Sequence, residues 1–92
     1  MPRIDLSRQA AAFLQELAPK HGRQIAEKLK ALADAPGSLP SEPLKGYAPM
    51  RRLKAGEYRI IFVHEGDVVQ VRFIGKRNDD DVYRLLERAV RR

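Results

Sequence analysis

The chain has 92 residues, enough for one small domain and too few for a second hydrophobic core. Hydrophobic residues make up 43% of it and charged residues 33%, a composition that excludes a disordered chain. It has no cysteine, no apolar run of membrane-spanning length and no signal-peptide stretch at its start. We therefore expect a single domain over residues 1–92 that is cytoplasmic, lacks disulfides and makes no membrane contact.

The net charge of +6 is concentrated in the second half of the chain. Residues 1–43 hold 6 basic and 5 acidic side chains, whereas residues 44–92 hold 12 basic and 7 acidic ones. Arginine supplies 12 of the 18 basic residues, and its planar fork suits phosphate because it donates two parallel hydrogen bonds. The pattern indicates either a surface that binds a polyanion or a merely solubilising surface.

Two amphipathic helices are predicted in the first half. Ser7 is a plausible N-cap, and the apolar residues after it follow the spacing of one helical face. This first helix should end near Ala18, because Pro19 and Gly22 interrupt the pattern. A second amphipathic run continues from there to the break at residues 35–37. A tight connection between two helices predicts an antiparallel helical hairpin.

Strands are predicted before and after these helices. Residues 3–6 read as a short edge strand, and the proline-rich segment 36–49 as a surface connector that is neither strand nor helix. Beyond it, short glycine-containing breaks separate three β-branched and aromatic runs, which predict an antiparallel meander: Met50–Lys54, Tyr58–His64 and Val68–Gly75. On the last strand, Val69, Val71 and Phe73 should share one face.

A final helix should open at the carboxylates that follow Asn78, which suit the positive end of a helix. The element order is then β-α-α-β-β-β-α. We therefore predict an α+β domain, in which the helical hairpin and the C-terminal helix pack on an antiparallel sheet.

Several kinds of site are excluded by what the chain lacks. It has no glycine-rich phosphate loop and no histidine, cysteine and carboxylate set at metal-ligand spacing. Its two histidines, His21 and His64, are more typical of polar surface residues than of a catalytic pair. The run Asp79–Asp81 is explained by its place at a helix start. We therefore expect neither a metal nor a cofactor.

A basic and aromatic cluster remains, spread over the meander and the last helix: Arg51, Arg52, Lys54, Arg59, Lys76, Arg77 and Tyr83. Neighbouring strands of a meander bring such side chains within reach of one another. A groove lined by guanidinium groups and one phenol suits phosphodiester chemistry on RNA. Its cations would neutralise the pentavalent transition state, while a positioned group takes the proton of the 2′-hydroxyl.

Three motifs of the second half resemble the RelE toxins of the RelE/ParE superfamily. They are Leu44-Lys45-Gly46, the run from Gly56 to Phe62, and Gly75-Lys76-Arg77 followed after five residues by Tyr83. The predicted element order also fits the family, so the resemblance covers almost the whole chain. It implies the toxin of a bacterial toxin–antitoxin pair that enters the ribosomal A site and cleaves the bound mRNA. The cleavage proceeds by attack of the 2′-hydroxyl and needs no metal.

The resemblance also implies roles for individual residues. Arg59 would stabilise the transition state, Arg77 would act as general acid or charge stabiliser, and Tyr83 would stack on or orient the RNA. At the positions of the family's two strand lysines this chain has Met50 and Arg52, neither of which is a good general base. Lys54 is then the first candidate for the base and Lys76 the second, and the remaining contacts to RNA would come from Arg51, Arg52, Lys76 and Lys45.

Three functions stay open at this point. The first is a ribosome-dependent mRNA endonuclease that inhibits translation, favoured by Arg59, Arg77 and Tyr83. The second is a ParE-like, non-enzymatic poison of DNA gyrase, and the third is a basic RNA-binding module without catalysis. In the first two cases the positive charge of the domain predicts an acidic antitoxin as the partner, which would lay a helix or an added strand across the toxin.

Overall fold

The fold is a five-stranded sheet with two helices on one of its faces. The computed structural model describes residues 3–35, 37, 39–76, 84 and 87–88. Along the chain the elements are β1 (Arg3–Leu6), α1 (Arg8–Glu16), α2 (Pro19–Asp34), β2 (Ser41–Pro43), β3 (Arg51–Ala55), β4 (Tyr58–Glu65) and β5 (Val68–Lys76). The strands lie in the order β1-β5-β4-β3-β2. The predicted α+β class is confirmed. No helix in the described part of the chain is long and apolar enough to cross a membrane.

The predicted meander forms the centre of the sheet. Strands β3, β4 and β5 pair antiparallel, and two-residue turns at Gly56-Glu57 and Gly66-Asp67 connect them. Gly56 has a φ of 62° and Gly66 a φ of 56°. Because tight hairpin turns need a positive φ at their first central residue, glycine at both positions fixes the turns and, through them, the strand register.

Two edge pairings differ from the prediction. Ser41–Pro43, in the segment expected to be only a connector, forms the short strand β2 antiparallel to β3. An edge strand tolerates Pro43 because one side of its backbone needs no partner. At the other edge, β1 runs parallel to β5, with Arg3 opposite Val68. The sheet is therefore antiparallel except at the β1 edge.

The helices begin and end close to the predicted positions, with one correction. Ser7 caps α1, since its Oγ accepts a hydrogen bond from the Ala10 amide at 3.1 Å. Pro19 and Gly22 do not separate the two helices as predicted: Pro19 opens α2, and Gly22 lies within it. Proline suits the first helical position because the amide there has no intrahelical partner. Helix α1 accordingly ends at Glu16.

A β-bulge changes which residues of β5 face the core. Phe62 pairs with Val71 and Ile61 with Phe73, so Arg72 is an extra residue on β5. Since one extra residue inverts the alternation of side chains, the prediction that Phe73 shares a face with Val71 is wrong. Ile74 takes the core position instead.

The core lies between the helices and one sheet face. Its helix residues include Ala10, Ile25, Leu29 and Leu32, and its strand residues include Leu53, Ala55, Tyr58, Ile60, Phe62, Val69, Val71 and Ile74. We call the opposite side of the sheet the far face. Of the predicted C-terminal helix, Arg84, Glu87 and Arg88 are helical. The rest of that prediction falls outside the described residues.

Candidate active site

Lys54 and Arg59 are neighbours on the far face. They pair directly across β3 and β4, and Gly75 of β5 is opposite Arg59 on its other side. Leu53 and Ile60, next to them in sequence, are buried in the core. Because side chains alternate along a strand, Lys54 and Arg59 project from the far face. Directly opposed residues have Cβ atoms about 4.5–5.5 Å apart, so one anion can reach both cations.

The Arg59 guanidinium is held in place by the hairpin that precedes it. Its Nη1 donates to the Gly56 carbonyl at 3.1 Å and to the Tyr58 carbonyl at 2.9 Å. These bonds use one of the three guanidinium nitrogens. In the described part of the chain, Nε and Nη2 make no hydrogen bond, and the side chain is only half-buried. Arg59 is therefore oriented by the backbone and keeps donors for an external acceptor.

Lys54 is exposed and forms no ion pair with any described residue. Two like charges directly opposite each other in a sheet are destabilising. The pair therefore costs stability in the free protein, and an anion bound between the two side chains would remove that cost. This is the electrostatic arrangement expected of a phosphate or carboxylate site.

Arg52 shares the far face with Lys54, two residues away on β3. Its partner is Glu42 of β2: Nη2 donates to the Glu42 carboxylate. The side chain of Arg52 is 28% exposed and that of Glu42 61%. Glu42 thus offsets part of the positive charge beside Lys54 and fixes Arg52 along the sheet edge.

Arg51 does not join this group. It pairs with Phe62, so it belongs to the side of the sheet that carries the helices. Its Nε donates to Ser41 Oγ at 2.8 Å and its Nη2 to the Ser41 carbonyl at 3.0 Å. Arg51 therefore fastens β2 to β3, and the cations predicted together on this strand are divided between the two faces.

The two remaining candidate lysines, Lys76 and Lys45, do not belong to the pair on the far face. Lys76 ends β5 and is exposed, one residue beyond Gly75 and opposite Tyr58. Lys45 is exposed in the β2–β3 loop, where Gly46 has a φ of 87°. That loop lies at the end of β3 opposite the hairpin that carries Arg59. Because Lys76 is opposite the core residue Tyr58, it belongs to the side of the sheet that carries the helices, next to the residue opposite Arg59, and Lys45 lies far from the pair.

Tyr58 and His21 pack against each other and are not part of the candidate site. Tyr58 is only 4% exposed and belongs to the core. Its ring lies 5.9 Å from Phe13 in an edge-to-face arrangement and 5.8 Å from His21, measured between ring centroids. His64 is exposed at the end of β4. Neither histidine belongs to the cationic pair.

Arg77, Tyr83 and the run Asp79–Asp81 lie outside the described residues. Within the described ranges, no three histidine or acidic side chains are grouped closely enough to hold a metal ion. Sequence reasoning missed Glu42 as a neighbour of the site, because it lies in the segment interpreted as a connector. Its position opposite Arg52 follows from the pairing of β2 with β3.

Solved structures of toxin–antitoxin proteins share this fold. The isolated E. coli RelE toxin matches with 20% identity and a TM-score of 0.72, over 98% of this chain and 99% of that one. RelE from the Pyrococcus horikoshii RelE–RelB complex matches with 23% identity and a TM-score of 0.70, over 84% and 96%. A chain of the chromosomal ParDE system from P. aeruginosa matches with 21% identity and a TM-score of 0.66, over 83% and 96%.

At these identities the structural matches establish the fold alone, and they include both RelE and ParDE systems. No curated protein sequence matches the chain significantly. The family model described as the ParE toxin of the type II toxin–antitoxin system parDE matches residues 4–81. The resemblance to the RelE/ParE superfamily is thereby confirmed, and the chain belongs to the ParE toxin family of type II toxin–antitoxin systems.

Proposed function

We propose that this toxin is a ribosome-dependent endonuclease that cleaves mRNA in the ribosomal A site. The observation that carries the proposal is the pairing of Lys54 with Arg59, without a counter-charge from the described residues. Two cations directly opposite each other destabilise a sheet. Destabilising arrangements of this kind are expected mainly at functional sites, which is why the pair indicates one.

The chemistry follows from the positions of these two side chains. The 2′-hydroxyl oxygen attacks the adjacent phosphorus, the bond to the 5′-oxygen breaks, and a cyclic phosphate and a 5′-hydroxyl result. Arg59, held by two backbone carbonyls, stabilises the negative charge of the pentavalent transition state. Lys54 takes the proton of the 2′-hydroxyl.

Two further residues complete the proposed site. Arg77 follows two residues after Gly75, which is opposite Arg59, and would protonate or stabilise the leaving 5′-oxygen. Tyr83 would stack on the RNA. Lys76 remains the second candidate for the base, and Arg52, Lys76 and Lys45 would contact RNA phosphates. Arg51, which holds Ser41, would act on RNA only indirectly, through the position of β2.

The family-model match favours a second candidate function, a non-enzymatic ParE-like poison of DNA gyrase. Under this alternative the same cations would contact the target or the antitoxin, and no bond would be cleaved by the toxin itself. Because both candidates predict toxicity, growth inhibition alone does not separate them.

Primer extension on cellular mRNA after induced expression separates the two. The endonuclease produces discrete cuts within codons, which Arg59→Ala abolishes and Arg23→Ala retains. Arg23 is a matched control because it is an exposed arginine on α2. Intact mRNA together with gyrase-dependent DNA breaks would reject the endonuclease and establish the gyrase poison.

We also propose an acidic antitoxin as the partner. The solved relatives include toxin–antitoxin complexes from Pyrococcus horikoshii and Mycobacterium tuberculosis. The net charge of +6 favours an acidic partner, whose carboxylates would pair with arginines of the toxin. Association should therefore slow strongly with added salt, whereas dissociation should change less. An association rate that is equal at low and high salt would contradict this partner chemistry.

A further inference from the structure

A second basic site adjoins the Lys54–Arg59 pair at the edge of the sheet. A cleft of about 310 Å³ lies between α2 and the outer edge of β3. It is lined by Lys28, Pro40, Ser41, Glu42, Arg52, Leu53 and Lys54. Lys54 therefore belongs both to this cleft and to the pair on the far face.

The charges that line the cleft do not balance. Three are cationic and one, Glu42, is anionic, and Glu42 is bonded to Arg52. Neither Lys28 nor Lys54 forms an ion pair with a residue in the described ranges. Lys28 is half-buried on α2, so its ammonium group is presented at the cleft with less freedom than that of a fully exposed lysine.

We infer that this cleft binds a phosphate of the RNA backbone next to the scissile one, and that Lys28 is the residue that contacts it. The inference deepens the proposed endonuclease function and rests on it. Lysine acts as a point charge toward phosphate and does not read the base, so the cleft positions the strand without selecting its sequence. Lys54, between the cleft and Arg59, joins the two phosphate sites along one strand of RNA.

The short strand β2 supplies part of the cleft's lining. Ser41 and Glu42 form its outer wall, and Arg51 holds that wall through both its bonds to Ser41. Pairing of β2 stops at Leu53, so the side chain of Lys54 stands beyond the paired stretch. The wall thus ends where the RNA would pass from the cleft onto the far face.

Lys28→Gln tests the inference, with Lys30→Gln as the matched control. Lys30 lies on the same helix, is exposed and does not line the cleft. Single-turnover cleavage is measured on programmed ribosomes over a range of toxin concentrations. In parallel, binding of a 2′-O-methyl oligoribonucleotide is measured by fluorescence anisotropy at several salt concentrations.

The loss of one phosphate contact to a single strand reduces the slope of log K against log salt by about 0.7. At 0.1 M salt this corresponds to about a fivefold weaker binding. We expect Lys28→Gln to show both changes, and to raise the half-saturating toxin concentration without lowering the saturating rate. Lys30→Gln should match the wild type in all three measurements.

The other outcomes separate this inference from the proposed function. Wild-type cleavage with identical behaviour of both glutamine variants would overturn the cleft and leave the endonuclease standing. An inactive wild type that still binds the oligonucleotide in a Lys28-dependent way would overturn the endonuclease and support the cleft. If Lys28→Gln weakens binding of the antitoxin and not of RNA, the cleft takes a carboxylate, and the inference is wrong.

Discussion

Lys54 and Arg59 stand directly opposite each other on β3 and β4, and no carboxylate among the described residues pairs with either. This relationship predicts a trade-off between stability and activity. Lys54→Gln removes the repulsion and should raise the free energy of unfolding by about 0.2–1 kcal/mol, less at high salt. The same change should sharply lower single-turnover cleavage, because it removes the group proposed to take the proton of the 2′-hydroxyl.

Chemical denaturation at two ionic strengths, beside the cleavage assay, measures both effects. Lys30→Gln serves as the control for a general change of surface charge. A Lys54→Gln variant that is less stable than the wild type, or that cleaves at the full rate, would contradict the assignment.

Arg59 and Arg77 should dominate the cleavage rate. Replacement of either by alanine should reduce the single-turnover rate by about 10²–10³, the usual loss for one electrostatic donor at a reacting oxygen. Arg59→Lys should recover only part of the lost rate. The planar guanidinium can donate to the Gly56 and Tyr58 carbonyls and to a phosphate at the same time, whereas the ammonium group of lysine cannot. Tyr83→Phe should be milder, since stacking survives without the hydroxyl. Full cleavage by both alanine variants would remove these residues from the site.

Arg51 should matter for stability more than for RNA. Arg51→Ala loses the hydrogen bonds to Ser41 Oγ and to the Ser41 carbonyl, at a cost of about 1–3 kcal/mol. Ser41→Ala removes only the hydroxyl acceptor and should cost less. Thermal unfolding gives both values, and oligonucleotide anisotropy at a temperature where the variants are folded gives the effect on RNA. A salt slope reduced in Arg51→Ala but not in Ser41→Ala would make Arg51 a direct phosphate contact.

Gly56 and Gly66 allow backbone strain to be separated from side-chain contact. Both have a positive φ, so alanine at either position should cost about 1–2 kcal/mol. A Cβ on Gly56 would also clash with Gln24 Nε2, whereas a Cβ on Gly66 meets nothing within 4 Å. Because the exposed Gln24 amide can rotate away, the two alanine variants should be almost equally destabilised. A markedly larger loss for Gly56→Ala, relieved by Gln24→Ala, would show that Gln24 is fixed in place.

The features that were predictable from sequence are those that neighbouring residues determine. Ser7 caps α1 through the amide three residues later, and Gly56 and Gly66 set their turns through their own φ angles. Strand β2 was not predictable, because Ser41 acquires its partner from β3 and its segment is rich in proline. The bulge at Arg72 was also missed, since an extra residue leaves no mark in the alternation of Val69 and Val71.

The residues of the candidate site likewise include some that the local sequence indicates and others that only the packing of the fold brings to the site. The sequence interpretation placed Lys54 and Arg59 within reach of each other on neighbouring strands, but it ended the first strand at Lys54. Their direct pairing follows from the two-residue turn at Gly56-Glu57, which puts Ala55 opposite Tyr58. The separation of Arg51 from Arg52 follows from strand alternation, but the sequence interpretation grouped them by charge. Glu42 and Lys28 reach the site only through the packing of β2 and α2 against β3, which no local pattern encodes.

The parallel pairing of β1 with β5 has a consequence for the order in which the molecule is made. Arg3 pairs with Val68, the side chain of Gln9 bonds both the amide and the carbonyl of Ile74, and Ser7 bonds the Arg72 carbonyl. Strand β1 and helix α1 thus acquire these partners only when β5 has been synthesised. A nascent chain that stops before that point has neither a closed sheet edge nor an anchored α1. Assembly of the toxin fold therefore depends on the synthesis of β5, whose pairing closes the β1 edge of the sheet and anchors α1.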